Sequence, residues 1–219
     1  MCGDTINTNP ASLTGEAVDD ELTRELQQLD AAASLMITSC CHLILGFVYE
    51  DWQNVKTHLP TFQKYIKEVE GFFTTGFMLT WSAACHYDLY YADGASRHKR
   101  DGRRAHRRVT KWSATGTTML IGPSIFLEAM EALCVKKAPV NQVEILFGKA
   151  ASACAAGRCR FFEALSSERL ARVFRSEEPN TTKRLTYLKR AADLYRSWGA
   201  VAKAEWVENG DDDHTSPSG

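Results

Sequence analysis

The stretch Leu194–Val207, LYRSWGAVAKAEWV, joins two helical patterns through a single Trp-Gly-Ala step. Gly199 can adopt the left-handed backbone conformation that ends a helix at little steric cost. Trp198, directly before it, is large enough to cover the open end of a hydrophobic core, and Trp206 follows on the next helix. We therefore predict that Trp198, Gly199 and Trp206 form a structural cap rather than a cofactor site.

Helical patterns also fill most of the rest of the chain. From about residue 16 onward, apolar side chains recur three and four residues apart, and no segment alternates long enough for a strand. Asp51 is expected to cap the second helix, which contains Pro60. Further breaks fall at Gly71-Phe72, Asp93-Gly94, Gly122-Pro123, Pro139, Gly157 and Pro179. The spacing predicts an all-α fold of helix–break–helix units of roughly 40 residues.

Two all-α architectures are compatible with this pattern. One is an α-solenoid of about four helical hairpins with a C-terminal capping helix, and the other is an irregular helical bundle. Polar, aperiodic sequence predicts a disordered N-terminus at residues 1–15 and a disordered, acidic and Ser-rich tail at 209–219. The helical domain is expected to span residues 16–208.

Two stretches favour the solenoid. Residues Phe162–Phe174, FEALSSERLARVF, and Leu185–Ala200, LTYLKRAADLYRSWGA, followed by Lys203, resemble a tetratricopeptide-like helical region of very large signalling proteins. In that family the region follows a STAND-type or AAA-like ATPase domain, and protein kinase, histidine kinase or cyclase modules often flank it. Upstream, Gly46–Trp52 and Ser124–Ala129 resemble the family more loosely.

The resemblance implies a TPR-like array that is a non-catalytic scaffold for protein–protein interaction or regulation. The partner it implies is an ATPase or kinase module of the same pathway. This chain departs from the family at Glu177–Asn180, where a Gly-containing turn is usual.

Small residues are expected to let the last helices approach closely, with large residues between them. The small set is Ala164, Ala171, Ala191 and Ala192, and the large set is Phe162, Leu165, Phe174, Tyr187, Leu188 and Tyr195.

The strongest local charge signal is the basic segment Arg97–Lys111, which contains a single acidic residue, Asp101. On a helix its cations form one broad stripe, and we predict a partner-binding surface there. Its main residues are Arg100, Arg103, Arg104, Arg107, Arg108 and Lys111. Three interpretations stay open: a solvated face salt-bridged to acidic neighbours, a surface for an acidic protein or anionic lipid, and a nucleic-acid-binding or nuclear-import segment. The chain's net charge of -1 favours none of them.

Motifs for catalysis are missing from the sequence. It contains no phosphate-binding loop, kinase signature or hydrolase elbow, and no histidine pair with zinc-ligand spacing. Cys85 and His86 are adjacent on one helix and therefore point in different directions, so a packed thiol beside a half-exposed imidazole is expected. Cys154 and Cys159 lack a nearby histidine in the sequence. We predict no enzymatic activity, cofactor or metal.

The cysteine content and the first residues of the sequence indicate a cellular compartment. The seven cysteines are odd in number, and most lie in apolar helical patterns, which favours reduced thiols in a cytoplasmic protein. No basic segment followed by an apolar core begins the chain, so a signal peptide is not expected. The apolar stretch Ala32–Val48 contains Thr38, Ser39 and His42, and we predict a buried core helix rather than a membrane span.

Overall fold

The computed structural model describes residues 24, 32–69, 74–174 and 181–209. These residues form helices joined by short turns, with no strand among them. The prediction of an all-α fold is confirmed for this part of the chain. The N-terminal segment and all of the predicted tail except its first residue lie outside it, as do the turn at 71–72 and the gap at 177–180. Asn209, predicted as the start of the tail, ends the last helix.

Nine α-helices follow one another in the described residues. They are α1 (Ala32–Val48), α2 (Trp52–Tyr65), α3 (Thr75–Asp93), α4 (Ser96–Ala114), α5 (Ile121–Cys134), α6 (Val140–Ala156), α7 (Arg160–Val173), α8 (Thr181–Trp198) and α9 (Val201–Asn209). Short 3-10 turns at Ile66–Val69 and Thr118–Leu120 extend α2 and lead into α5.

The helix ends follow local signals in the sequence. The Asp51 carboxylate accepts a hydrogen bond from the backbone N–H of Asn54 at 3.0 Å and so caps α2, as predicted. Pro139 directly precedes α6. Gly94 and Gly199 have φ values of 68° and 90°, and both end helices in the left-handed region that glycine tolerates.

Backbone contacts divide the chain into two compact units, Met1–Arg108 and Val109–Gly219. The sequence pattern alone predicts one helical domain over residues 16–208. The division falls within α4, so that Arg108 belongs to the first unit and Lys111 to the second.

In the first unit, α1 packs mainly against α2 and also against α3. The ring of Phe47 is fully buried and meets the rings of Trp52 and Trp81 edge-on at 6.1 and 5.7 Å. Leu35, Met36 and Leu43 of α1 are also buried, as expected for a core helix. Within the described ranges no helix combines the length and apolar character needed to span a membrane.

In the second unit, α5 packs against α6, α6 against α7, α7 against α8 and α8 against α9. The α7–α8 pair makes the most extensive contact, and the four alanines predicted to permit close approach are buried there. Tyr195 fills the centre with no exposed surface. Tyr187 and Leu188, predicted as filling residues, are only half-buried. The Tyr187 ring stacks on Phe174 at 5.9 Å.

Candidate functional site

The six basic residues predicted to bind a partner all lie on α4. Four of them are exposed, namely Arg100, Arg104, Arg107 and Lys111, and Arg103 and Arg108 are half-buried. The opposite face of α4 is buried at His98, Ala105 and Val109. Asp101 accepts a hydrogen bond from Arg100 Nε at 3.1 Å.

The first unit contains a cleft of about 410 Å³, lined by three of its helical segments. Its lining comprises Phe62 and Gln63 of α2, Ile66 and Lys67 of the adjoining turn, Leu79 and Ser82 of α3, and Asp101, Arg104, Ala105 and Arg108 of α4. Two residues of the predicted basic stripe, Arg104 and Arg108, therefore line the cleft. The sequence could indicate the stripe but not the cleft, because the other lining residues come from other helices.

The lining of this cleft combines buried apolar side chains with charged ones. Phe62, Ile66, Leu79 and Ala105 are each at most 7% exposed and form an apolar floor. The lining also contains three cations, Lys67, Arg104 and Arg108, and one carboxylate, Asp101.

A chain of hydrogen-bonding side chains begins at Gln63, which lines the cleft. The amide nitrogen of Gln63 lies 2.6 Å from His86 Nε2, and His86 Nδ1 lies 2.9 Å from His98 Nδ1. An amide nitrogen only donates, so His86 Nε2 accepts and a neutral His86 carries its proton on Nδ1, donating it to His98. His98 then carries its proton on Nε2, which lies 3.5 Å from a carboxylate oxygen of Asp93. Both imidazoles are neutral in this arrangement.

His86 is 2% exposed, so the prediction that it would be half-exposed is wrong. The reason is that His98 arrives from α4 and covers it, a contact that the pattern of a single helix does not contain. Burial, reinforced by the neighbouring His98, lowers the pKa of His86 to about 4. Burial lowers the pKa of His98 as well.

The structure does not bring Cys85 and His86 together as a dyad. The Cys85 thiol is fully buried and donates to the carbonyl of Leu43 at 3.8 Å, whereas His86 bonds to Gln63 and His98. A thiol–imidazole pair requires the two groups to be within hydrogen-bonding reach of each other. The contacts of Cys85 therefore match those of a packing residue.

The other cysteines of the described residues are free thiols within or beside the core. Burial raises the pKa of Cys40 and of Cys154 to about 12, which leaves almost no reactive thiolate near neutral pH. Among the described residues, no group of three or more His, Cys, Asp or Glu side chains is arranged to hold a metal ion.

The second unit contains a buried charge cluster that is not apparent from the sequence pattern. Glu168 of α7 is 1% exposed and accepts hydrogen bonds from Lys203 Nζ of α9 at 2.9 Å and from the Tyr195 hydroxyl of α8 at 2.8 Å. Arg172 also donates to Glu168, and Lys203 lies 3.5 Å from the centre of the Trp206 ring. A carboxylate, a lysine and a tyrosine from three helices are each visible in the sequence, but their meeting point is not.

This cluster contains an ammonium that is almost out of contact with water. Burial lowers the pKa of Lys203 to about 7, although the Glu168 carboxylate favours the charged form. Burial and the adjacent Glu168 carboxylate raise the pKa of Tyr195 well above its usual value. The cluster is closed to solvent, so its contacts indicate a role in holding α7, α8 and α9 together.

The predicted cap differs from expectation at Trp198. Its side chain is 55% exposed, and its ring contacts the Phe161 ring in a T-shaped arrangement with the centroids 4.9 Å apart. The helix ends there and Gly199 redirects the chain, so that Tyr195, one turn earlier, enters the core instead. Trp206 is half-buried and packs against the core through α9. Trp198 is therefore not a buried lid.

Comparison of this chain with protein-family models, with curated proteins and with solved structures finds no match.

Proposed function

We propose that this chain is a non-catalytic helical-repeat scaffold that holds protein partners in a signalling system. The observation that carries the proposal is the packing order of the second unit, where each helix packs against the next helix along the chain. In helical-repeat proteins each element buries its apolar face against its neighbours in sequence, and the exposed faces remain for partners. The resemblance of Phe162–Phe174 and Leu185–Ala200 to a TPR-like region supports the same interpretation.

The helix count fits this proposal. The pairs α1–α2, α3–α4, α5–α6 and α7–α8 would be four hairpins, and α9 would be the closing helix. The separate contacts of Cys85 and His86 and the raised thiol pKa values of Cys40 and Cys154 support a role without chemistry. An ATPase or kinase module of the same pathway is the partner that the resemblance implies.

A second candidate function is binding of nucleic acid or another polyanionic surface through Arg97–Lys111. It is favoured by the exposure of this helix face and by Arg104 and Lys111, which form no ion pair with any acidic residue in the described ranges. Trp112 is the only aromatic residue close to these cations in the sequence, so base stacking would contribute little. Binding would then be mostly electrostatic and would weaken steeply with salt.

An affinity capture from native lysate with the 219-residue chain as bait, run with and without nuclease, separates the two functions. Each protein retained after nuclease treatment is purified and titrated against the chain directly. A saturable, direct interaction with such a protein supports the scaffold. Loss of all captured proteins on nuclease treatment contradicts it.

The charge-reversed variant Arg103→Glu/Arg104→Glu/Arg107→Glu serves as the second bait. If the chain binds nucleic acid through α4, this variant should lose salt-sensitive binding of a labelled single-stranded oligonucleotide. A protein that recognises another surface of the array should bind the variant and the unmodified chain alike.

A further inference from the structure

We propose that the cleft of the first unit is a binding site for a small amphipathic anion, a molecule with one anionic head group and an aliphatic tail. The cleft is lined by α2 with its adjoining turn, by α3 and by α4. This site does not depend on the scaffold function, since it would bind a small molecule within one unit rather than a protein on the array surface.

The size and floor of the cleft suit such a ligand. A volume of about 410 Å³ lies within the range of about 300–1,000 Å³ that small-molecule sites occupy. Phe62, Ile66 and Leu79 provide aliphatic and aromatic surface for a tail. Burying that tail would remove apolar surface from water, which is the main favourable term for ligands of this kind.

The charges select the sign of the head group. Lys67, Arg104 and Arg108 exceed the single carboxylate of Asp101 by two positive charges. Arg104 is exposed and forms no ion pair with the acidic residues that the structure describes. An anion can therefore take hydrogen bonds from its guanidinium without displacing an existing partner, and hydrogen bonds between ionised groups are the stronger ones.

Ser82 adds a hydroxyl to the polar part of the cleft lining. This residue lines the cleft and is only 4% exposed, yet its hydroxyl has no hydrogen-bonding partner among the described residues. The hydroxyl is nevertheless not among the buried polar atoms that lack a partner, so water in the cleft reaches it, and a ligand oxygen at this position can take the place of that water. Gln63 also lines the cleft and is held by its 2.6 Å contact with His86, so this polar group is in place before any ligand binds.

The test uses the purified full chain and a fluorescent amphipathic anion, 8-anilinonaphthalene-1-sulfonate, which decanoate then displaces at concentrations below micelle formation. Decyltrimethylammonium has the same tail with the opposite charge, and acetate has the same head group without the tail. We expect one saturable site from which decanoate displaces the probe, while the other two compounds displace it at least about tenfold less effectively.

Two double variants of α4 provide a matched comparison. Arg104→Gln/Arg108→Gln removes two cleft cations, and Arg103→Gln/Arg107→Gln removes the same charge from the same helix outside the cleft. The cleft variant should weaken decanoate binding about tenfold or more, and the control variant less than about twofold. Ser82→Ala, which removes only the hydroxyl, should weaken it about threefold or more.

Several results would overturn the proposal. These are equal displacement by decyltrimethylammonium, equal weakening by the two double variants, the absence of a saturable site, or displacement by an acidic amphipathic peptide but not by decanoate. The last result would indicate that the cleft binds a peptide segment of a protein partner, which belongs to the scaffold function. A negative result with decanoate does not change the outcome of the capture experiment. The two experiments therefore test the two proposals independently.

Discussion

At the scale of single residues, a close helix contact of the second unit depends on Gly122. A Cβ atom at this position would overlap the Sγ atom of Cys154 and would lie 3.0 Å from the Cα and N atoms of the same residue. Sulfur could move aside, but the backbone of α6 could not do so without shifting the helix. The absence of a side chain at Gly122 therefore sets the distance between α5 and α6.

Gly122→Ala should consequently lower the free energy of unfolding by about 2–3 kcal/mol, through overpacking against the α6 backbone. Gly148→Ala is the matched control, because Gly148 lies inside α6 and a Cβ atom there would have no neighbour within 4 Å. The control should stabilise the protein by about 0.5–1 kcal/mol through helix propensity. Urea unfolding followed by circular dichroism measures both. If the two variants were equally stable, α5 and α6 would have to lie farther apart.

The sequence predicted those residues whose role is decided by their near neighbours in the chain. Asp51, Gly94 and Gly199 act within one helical turn, and each has the predicted role. The exposure of Trp198 and the burial of His86 depend on where other helices lie. His86 is buried by a residue 12 positions away, which no single-helix pattern contains.

At the scale of helices, most boundaries agree with the periodicity, and α5 shows why one does not. The sequence pattern places Gly122-Pro123 before the helix, as a break. The structure includes both in its first turn, because α5 begins at Ile121. Proline is tolerated in that position, since the first N–H groups of a helix have no intrahelical partner. The glycine serves close packing there rather than a turn.

The last three helices are joined by the Glu168 cluster, and its removal tests how much they depend on it. Glu168→Gln leaves Lys203 and Arg172 without their counter-charge, and it should cost about 3–5 kcal/mol. Lys203→Met should also be destabilising, because the buried Glu168 carboxylate then loses the ammonium group that pairs with it. The double variant should lose less than the sum of the two by at least about 1 kcal/mol, since neither Glu168 nor Lys203 then leaves the other as an unpaired buried charge.

Urea unfolding of the four proteins gives this cycle, and an exposed pair provides its control. Arg196 and Glu208 join α8 to α9 across the surface, so Glu208→Gln should change stability little. If Glu168→Gln were as mild as Glu208→Gln, or if the double variant lost the full sum, the buried cluster would not be a coupled unit. The charged residues of the cluster can be read from the sequence, but their pairing cannot, because it depends on the packing of α7 against α8 and α9.

At the scale of the molecule, the two units differ in their histidines. Five of the six histidines lie within residues 1–108, and the remaining one is His214. The first unit contains two histidine pairs, one half-buried and one buried. His42 stacks on His58 with the ring centroids 3.8 Å apart, and His86 faces His98 at 2.9 Å. Burial, reinforced by the neighbouring His42, lowers the pKa of His58 to about 4.

The first unit should therefore be the acid-sensitive one. The pKa of His86 is about 4 in the folded unit and 6.5 in the unfolded chain, so between these values the unfolded chain binds a proton that the folded unit does not. Stability then falls as the pH drops through this window and is fully retained above it. For His86 alone the loss approaches about 3 kcal/mol by pH 4. Other charges near the pair are Asp93 and Asp101, which oppose this shift, and Arg97 and Lys56, which reinforce it.

Urea titrations at pH 7 and pH 5, with peptide-resolved hydrogen exchange, follow each unit separately. The first unit should lose about 2 kcal/mol through His86, while the second unit, which lacks histidine in its described residues, should change little over the same interval. His86→Gln removes one titrating group and should reduce the difference between the two pH values. A first unit that is equally stable at both pH values, or an unchanged pH dependence in His86→Gln, would mean that the His86–His98 pair is accessible to protons in the folded state.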